Sequence, residues 1–356
     1  MNKCIDIDID YSTWAAGGIP TSLSGLPNNE NFNLIEVLIH IGLVTSHPEE
    51  HGINLNSFWA FLRYVNCFET GIDFKLNEKW NDIDPHQKTI LSDDFGMGFA
   101  SYYLHKHMNI ISIIDTGFFL KYLPSLSVLK KSKRGPSKTP DFILLDSSYN
   151  IHILECKGTQ SSLDSLEKQI LDGISQKGNL NDPSKIVSEK LVTGIFIPQY
   201  NSTSSSKFKI IDPEFSMDFS NVSKDEVIFR SFQGQLAKEI QIFGIRELGN
   251  HIANKKILSE IQLDKLVEEL QLNHFDSNIT KEFYQDGLKW SVDFDITVLK
   301  KYKRNQIANL QDLFSFLIKS QGQNQNKIIP ITKGYENSVV FNGLFGLRLT
   351  VVNDRL

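Results

Sequence analysis

Two short apolar segments, residues 142–145 and 151–154, lie on either side of the polar segment 146–150. Apolar runs of this length bounded by Asp, Ser and Asn are typical of β-strands joined by a turn, because those polar side chains hydrogen-bond their own backbone. We therefore predict a β-hairpin here. A hairpin fixes which side chains share a face of a sheet, so this segment constrains the fold more than any other.

The register of this hairpin decides where its charged residues lie. A five-residue loop pairs Leu145 with Ile151, and antiparallel partners then advance one for one in opposite directions. Asp141 falls opposite Glu155 in that register, so two carboxylates meet at one end of the hairpin. A loop of even length would place Cys156 opposite Asp141, and the prediction therefore requires an odd loop or a compensating bulge.

Lys157 is expected to join the two carboxylates. Side chains alternate between the faces of a strand, so Lys157 points the same way as Glu155, whereas Cys156 points to the other face. Hard divalent cations such as Mg²⁺ prefer carboxylate, carbonyl and water oxygens, and they usually add a substrate phosphate. Asp141 and Glu155 are therefore candidate metal ligands, and the Cys156 carbonyl is a further candidate. Lys157 is the candidate for holding an attacking water and offsetting charge at phosphorus.

Pro140-Asp141 followed by Glu155-Cys156-Lys157 resembles the motif of the PD-(D/E)xK phosphodiesterase superfamily, and the resemblance covers roughly residues 90–200. It implies an α/β fold with a restriction-endonuclease-like core, which is a mixed sheet flanked by helices. The order of elements in such a core is helix, strand, hairpin, helix, strand. The resemblance also implies that Asp141, Glu155 and Lys157 are the catalytic residues of an enzyme that cuts DNA with Mg²⁺ or Mn²⁺.

The flanking segments predict those elements in the same order. Ser92 is placed to cap a helix that continues to about Met108, and residues 110–114 have the pattern of a strand. Residues 191–197 form an apolar run that suits a buried parallel strand. Between the hairpin and this run, apolar residues at three- and four-residue spacing predict an amphipathic helix: Leu163, Leu166, Ile170 and Ile174.

Further members of the site are expected on the helices. The resemblance implies an acidic metal ligand on the helix before the core, and we favour Asp94 over Asp93, although acidic residues near a helix N-terminus also favour the helix dipole. Gln160 and Gln176 are candidates for contacting phosphate or metal-bound water. Gln169 shares the helix face of Gln176, away from the apolar stripe, and is interpreted as an ordinary exposed residue.

Two other patterns are interpreted structurally. Asp73-Phe74-Lys75 has the DxK form but follows no Pro-Asp pair, so we interpret it as a solvated turn or strand end. Gly96 and Gly98 lie within a predicted helix, and no third glycine completes a dinucleotide-binding motif. Close helix packing is the better explanation for both glycines.

A basic segment lies directly upstream of the predicted site. Its cations are candidates for binding DNA phosphates, although such runs are more often solvated loops: Lys130, Lys131, Lys133, Arg134 and Lys138. The formal net charge of the whole chain is −5, whereas nucleic-acid binders are usually basic. For nucleic-acid binding, the local distribution of charge therefore matters more here than the net charge of the chain.

Composition describes a soluble protein of more than one unit. The 356 residues are 40% hydrophobic and 22% charged. A chain of this length and hydrophobic content can bury a stable core without disulfide bonds or structural metals. We predict an N-terminal unit over residues 1–85 packed on the core, a nuclease core over 86–215, and a mainly helical C-terminal region over 216–356 closed by a strand pair. Three dispersed cysteines, no secretory stretch and no apolar run of eighteen residues indicate a cytoplasmic protein without a membrane segment.

These patterns favour a Mg²⁺-dependent endodeoxyribonuclease, with prokaryotic defence or restriction as a setting suggested by the resemblance. The alternatives are a non-catalytic nucleic-acid-binding or sensor subunit that retains the nuclease fold, and an enzyme that cuts RNA. The C-terminal region is expected to recognise DNA, to form a homodimer or to bind a protein partner, and no motif chooses among these roles.

Overall fold

The structure is a computed structural model, and it describes residues 1–14, 18–49, 64–128, 139–175, 182–212, 217–276, 281–285, 287–303, 306–320, 331–334 and 338–353. These residues form two compact units. Within the described ranges, the first unit comprises residues 1–45, 64–146 and 150–227, and the second comprises 46–49, 147–149 and 228–353. No helix in this part of the chain is long and apolar enough to cross a membrane.

Nine strands belong to the described part of the first unit: β1 (Asn2–Ile9), β2 (Asn29–Asn33), β3 (Ile110–Asp115), β4 (Ser127–Val128), β5 (Phe142–Asp146), β6 (Ile151–Thr159), β7 (Val187–Phe196), β8 (Lys207–Ile211) and β9 (Met217–Asp218). Seven of them form a mixed sheet in the order β2-β1-β8-β7-β6-β5-β3. Neighbours run antiparallel except for β1 with β8 and β6 with β7, which run parallel. Strands β4 and β9 form a separate antiparallel pair.

The helices that flank this sheet are α1 (Leu34–Thr45), α2 (Pro85–Met108), α3 (Thr116–Tyr122) and α4 (Leu163–Ser175), with 3₁₀ turns at Tyr11–Thr13 and Glu78–Asp82. The expected order of helix, strand, hairpin, helix and strand is confirmed as α2, β3, β5–β6, α4 and β7. Helix α3 and strand β4 lie between β3 and the hairpin. The fold is therefore mixed α/β, as the sequence predicts.

Helix α2 begins eight residues earlier than predicted. Asp84 caps it by accepting a hydrogen bond from the backbone N–H of His86 at 2.8 Å, and Pro85 occupies its first position. Both features favour a helix start. The first N–H groups of a helix have no acceptor within the helix; the Asp84 side chain supplies one, and proline has no N–H that needs one. The prediction that Ser92 caps the helix is wrong: Ser92 is buried inside α2 and its hydroxyl donates to the carbonyl of Lys88.

Glycines let α2 approach its neighbours closely, which confirms the packing role predicted for Gly96 and Gly98. A Cβ atom at Gly98 would lie 2.1 Å from Cγ1 of Ile41 in α1. A Cβ atom at Gly158 in β6 would lie 1.8 Å from the carbonyl oxygen of Ser92, and one at Gly96 would lie 2.9 Å from the carbonyl oxygen of Lys157. The backbone of α2 therefore rests directly on the strand that carries the predicted site.

Helix α4 covers the sheet at strand β7. Leu166 and Ile170 are buried, and their side chains reach within 2.8 Å of where a Cβ atom at Gly194 would stand. Leu163 is only partly buried, and the side chain of Ile174 lies outside the described residues. The amphipathic helix and the buried strand over 191–197 are thus confirmed, and β7 runs parallel to β6 as predicted.

The second unit contains more sheet than the sequence indicates. Its helices are α5 (Lys224–Phe243, of which residues 228–243 belong here), α6 (Arg246–Asn254), α7 (Leu263–Asp276), α8 (Thr297–Lys303) and α9 (Leu310–Ser320), with a 3₁₀ turn at Leu258–Glu260. Its strands are β10 (Lys281–Gln285), β11 (Leu288–Phe294), β12 (Ile331–Gly334), β13 (Ser338–Asn342) and β14 (Leu347–Asn353). They form one antiparallel sheet in the order β10-β11-β14-β13-β12. The predicted closing strand pair is thus part of a five-stranded sheet.

A buried carboxylate on α5 organises the turn between β13 and β14. Glu239 accepts hydrogen bonds from the backbone N–H groups of Leu344 at 2.7 Å, Phe345 at 2.9 Å and Leu347 at 3.3 Å, and from the side-chain amide of Gln235 at 3.0 Å. Burial raises the pKa of Glu239 to about 7, while these donors act in the opposite direction. The side chain thus satisfies three backbone groups that would otherwise be buried without partners.

Replacing Glu239 by Ala should destabilise the second unit by about 3 kcal/mol or more, because several buried N–H groups lose their acceptor together. Urea-induced unfolding followed by circular dichroism measures the loss. Glu268→Ala, an exposed carboxylate on α7, is the matched control and should change the midpoint little. Equal midpoints for the two variants would contradict the structural role of Glu239.

Candidate active site

The β5–β6 hairpin has the predicted register. Leu145 pairs with Ile151, so the odd loop on which the site depends is confirmed. The Asp146 carboxylate closes the turn, because it accepts hydrogen bonds from the backbone N–H and the side-chain amide of Asn150 at 2.8 and 2.9 Å. The local turn chemistry of Asp and Asn therefore sets the register of the whole hairpin.

Asp141 immediately precedes β5 and is fixed from two sides. Its carboxylate Oδ2 accepts a hydrogen bond from the backbone N–H of Cys156 at 2.8 Å, and its backbone carbonyl accepts one from the N–H of Thr116 at 3.0 Å. Because Cys156 follows Glu155 in β6, the first bond brings the Asp141 carboxylate beside that of Glu155. The structure thus brings the two predicted carboxylates together.

Lys157 lies on the same face as Glu155, and its ammonium contacts the Glu155 carboxylate directly. The Glu155 side chain is 10% exposed and that of Lys157 is 27% exposed, so solvent reaches the cluster mainly at the ammonium. Cys156 is buried with its thiol on the opposite face. Its backbone N–H serves the site by binding Asp141, while the metal-ligand role of its carbonyl stays a prediction.

The two carboxylates of this cluster are close enough for their charges to repel each other. Burial and then the charge of Glu155 raise the pKa of Asp141, the N–H of Cys156 and the charge of Lys157 lower it, and the net result is a pKa of about 7. For Lys157, burial alone would lower the pKa, but the charge and hydrogen bond of Glu155 outweigh burial and raise the pKa above its usual range. Burial also raises the pKa of the Cys156 thiol, which therefore stays protonated at neutral pH.

The two acidic residues of α2 have different surroundings. Asp94 accepts a hydrogen bond from the hydroxyl of Tyr64 at 2.7 Å. Asp93 is more exposed and interacts electrostatically with Lys157; burial raises its pKa and the charge of Lys157 lowers it. Asp93 therefore has an electrostatic link to Lys157, and the metal-ligand role that the sequence suggests for Asp94 stays a prediction.

Gln160 is buried at the end of β6, and its amide is engaged by neighbouring elements. Its Nε2 donates to the carbonyl of Lys88 at 2.7 Å and to the hydroxyl of Ser92 at 2.9 Å, and its Oε1 accepts from Gln199 at 3.2 Å. These bonds connect the site strand to α2 and to the residues after β7. Gln160 therefore has a structural role, and its contact with phosphate stays a prediction.

Six predicted residues lie outside the described part of the chain: Gln176, Lys130, Lys131, Lys133, Arg134 and Lys138. Sequence reasoning missed one further residue and interpreted another as an ordinary exposed residue. Asp115 ends β3 opposite Phe142, and its charge raises the pKa of its neighbour Asp141. Gln169 was predicted to be exposed, but its amide oxygen is buried. Neither position has a local sequence signal, because both depend on how distant elements pair.

The donor set is consistent with a hard divalent cation. Among the described residues, no three His, Cys, Asp or Glu side chains are grouped to hold a metal ion. Mg²⁺ commonly binds proteins through only one or two carboxylates, with water and substrate phosphate completing its shell. Asp141 and Glu155 provide that number of carboxylates, and their mutual repulsion raises the pKa of Asp141, so a cation would relieve it.

Comparison of the chain with protein-family models, curated proteins and solved structures finds no match. The described residues show a mixed α/β fold with a seven-stranded sheet flanked by helices. The resemblance of Pro140-Asp141 and Glu155-Cys156-Lys157 to the PD-(D/E)xK motif stays a hypothesis beside that geometry.

Asp141→Asn should raise the melting temperature at pH 8, by roughly 2–4 °C in the presence of EDTA. The pKa of Asp141 is raised on folding, so the folded state binds the proton more tightly and the parent loses stability as the pH rises towards and through 7. The Asn variant cannot ionise and still accepts the Cys156 N–H. Its advantage should be smaller at pH 5, where the Asp141 carboxyl of the folded parent is largely protonated, and thermal unfolding at both pH values measures this.

Asp73→Asn is the control for that comparison, because Asp73 is exposed and distant in sequence from the hairpin. It should show no pH-dependent gain. A lower melting temperature for Asp141→Asn at pH 8 would contradict the repulsion between the two carboxylates.

Proposed function

We propose that this chain is a metal-dependent nuclease that hydrolyses DNA phosphodiester bonds and uses Mg²⁺ or Mn²⁺. The observation that carries the proposal is the convergence of the Asp141 and Glu155 carboxylates with the Lys157 ammonium at one rim of a hairpin. Two carboxylates and one ammonium suit the binding of a phosphate group and the stabilisation of charge at phosphorus.

Each residue has a distinct role in this proposal. Asp141 and Glu155 would hold the cation, which when bound neutralises their charge and that of the phosphate oxygens. Lys157 would orient the attacking water and offset negative charge that develops at phosphorus. The N–H of Cys156 keeps the Asp141 carboxylate aimed at Glu155. Asp93 is a further candidate at this rim, since it interacts with Lys157.

DNA as the substrate is supported by the resemblance and by the basic segment that precedes the site in sequence. The second unit is proposed to recognise DNA, to form a homodimer or to bind a protein partner. Prokaryotic defence or restriction in the cytoplasm is the setting that the resemblance suggests. RNA cleavage and non-catalytic nucleic-acid binding are the competing functions, and the experiment below separates them from DNA cleavage.

Plasmid DNA incubated with the purified chain and Mg²⁺ or Mn²⁺ should be cut, and EDTA should abolish cutting. Asp141→Ala and Lys157→Ala should each reduce the rate by at least roughly 100-fold, because loss of a group that stabilises the transition state has effects of this size. Gel electrophoresis of nicked and linear products measures the rate, and labelled RNA in parallel reactions tests the RNA alternative.

Asp73→Ala is the matched control, because Asp73 belongs to the other DxK sequence and should leave cutting unchanged. If the parent and both site variants are equally inactive yet bind DNA equally well, the chain is a binding module. Cutting by the parent that survives both site substitutions would exclude this hairpin as the active site.

A further inference from the structure

A buried polar atom on α4 has no hydrogen-bond partner in the described part of the chain: the side-chain amide oxygen Oε1 of Gln169. A buried carbonyl oxygen without a donor is unfavourable, because it has lost its bonds to water and gained none in return. Such an atom in a folded protein requires an explanation, and one explanation is a donor that arrives during function.

The helix geometry shows what lies beneath this residue. Leu166 and Ile170 point down onto Gly194 in β7, since their methyl groups lie 2.7 and 2.8 Å from where a Cβ atom at Gly194 would stand. Successive helical residues are turned by about 100°, so residues 167 and 169 project to opposite sides of this downward direction, each by about 80°.

The side chain of Glu167 identifies one of these two sides. Its carboxylate accepts hydrogen bonds from the ammonium of Lys209 in β8, at 3.0 and 2.8 Å. Strand β7 lies between β8 and β6 in the sheet. Gln169, on the opposite side of the helix from Glu167, therefore projects towards β6.

Strand β6 presents Lys157 at the same level. Lys157 and Gly194 are register partners in parallel strands, so their side-chain positions lie on the same face of the sheet. That face is the one covered by α4, and Glu155 shares it with Lys157. The geometry therefore directs the side chain of Gln169 towards the strand that carries Lys157, on the face that Lys157 shares.

We propose that Gln169 is a positioning residue whose amide oxygen accepts the Lys157 ammonium once Glu155 is committed to a divalent cation. This inference rests on the proposed function. Without a cation, Lys157 contacts Glu155; with Glu155 engaged by a cation, the ammonium is repelled by the like charge and requires another acceptor. The Gln169 oxygen is a neutral acceptor on that face, and it would direct Lys157 towards the substrate without competing for the cation.

Calorimetric titration with Mn²⁺ tests this exchange of partners through a double-mutant cycle of Gln169→Met and Lys157→Met. Gln169→Met preserves length but removes the acceptor, so Lys157 stays on Glu155 and competes with the cation. We expect Mn²⁺ affinity to fall roughly tenfold, the effect of one hydrogen bond to a charged group. In the Lys157→Met background no ammonium competes, and the same substitution should leave the affinity unchanged.

Two controls separate positioning from a structural effect. Gln169→Glu keeps an acceptor oxygen and should retain Mn²⁺ affinity at or above that of the parent. This variant also keeps the proposal testable if Gln169→Met fails to fold. Lys168→Ala, an exposed neighbour on α4, should change nothing. An unchanged affinity for Gln169→Met, or an equal loss in both Lys157 backgrounds, would overturn the proposal.

The outcome is distinguishable from that of the plasmid assay. Coupling between Gln169 and Lys157 in Mn²⁺ binding without DNA cutting would support the positioning role and reject the nuclease. Cutting without coupling would support the nuclease and reject the positioning role. A parent chain that binds no Mn²⁺ would reject both.

Discussion

The hydrogen bond from the backbone N–H of Cys156 to the carboxylate of Asp141 is the interaction on which the candidate site depends. The paired ladder of the hairpin ends at Phe142 and Leu154. Asp141 lies beyond it with its backbone carbonyl bound by Thr116, but its side chain would be free to turn away without the Cys156 N–H. The single bond keeps two carboxylates adjacent although burial and repulsion disfavour their ionisation. The two adjacent carboxylates are unfavourable by themselves, and the free energy of folding the hairpin keeps them together.

The first unit supports this arrangement from beneath. Helix α2 lies against the site strand with no space for a side chain at Gly158, and Gln160 binds the same helix through its amide. Close backbone packing leaves little freedom for β6 to shift along its axis. A site that depends on the position of one backbone N–H needs such support, since a shift of one residue would move every side chain to the other face.

The hairpin could be predicted from the sequence because its determinants are local. The turn residues, the apolar strands and the alternation of faces all lie within about twenty residues, so the register of Leu145 with Ile151 followed from counting. The start of α2 was also encoded locally, by Asp84 and Pro85, but Ser92 offered a competing cap signal. The surroundings of Gln169 could not be predicted, because they depend on which strands flank β7 in the sheet.

The parallel pairing of β1 with β8 has a consequence for biosynthesis. The hydroxyl of Ser206, just before β8, donates to the carbonyl of Cys4 in β1, and these residues are 202 positions apart in the chain. Strand β1, with the apolar Ile5 and Ile7, is therefore synthesised long before the strand with which it pairs in parallel. The edge of β1 opposite β2 lacks its partner until β8 has been made, so this parallel pairing forms late in synthesis.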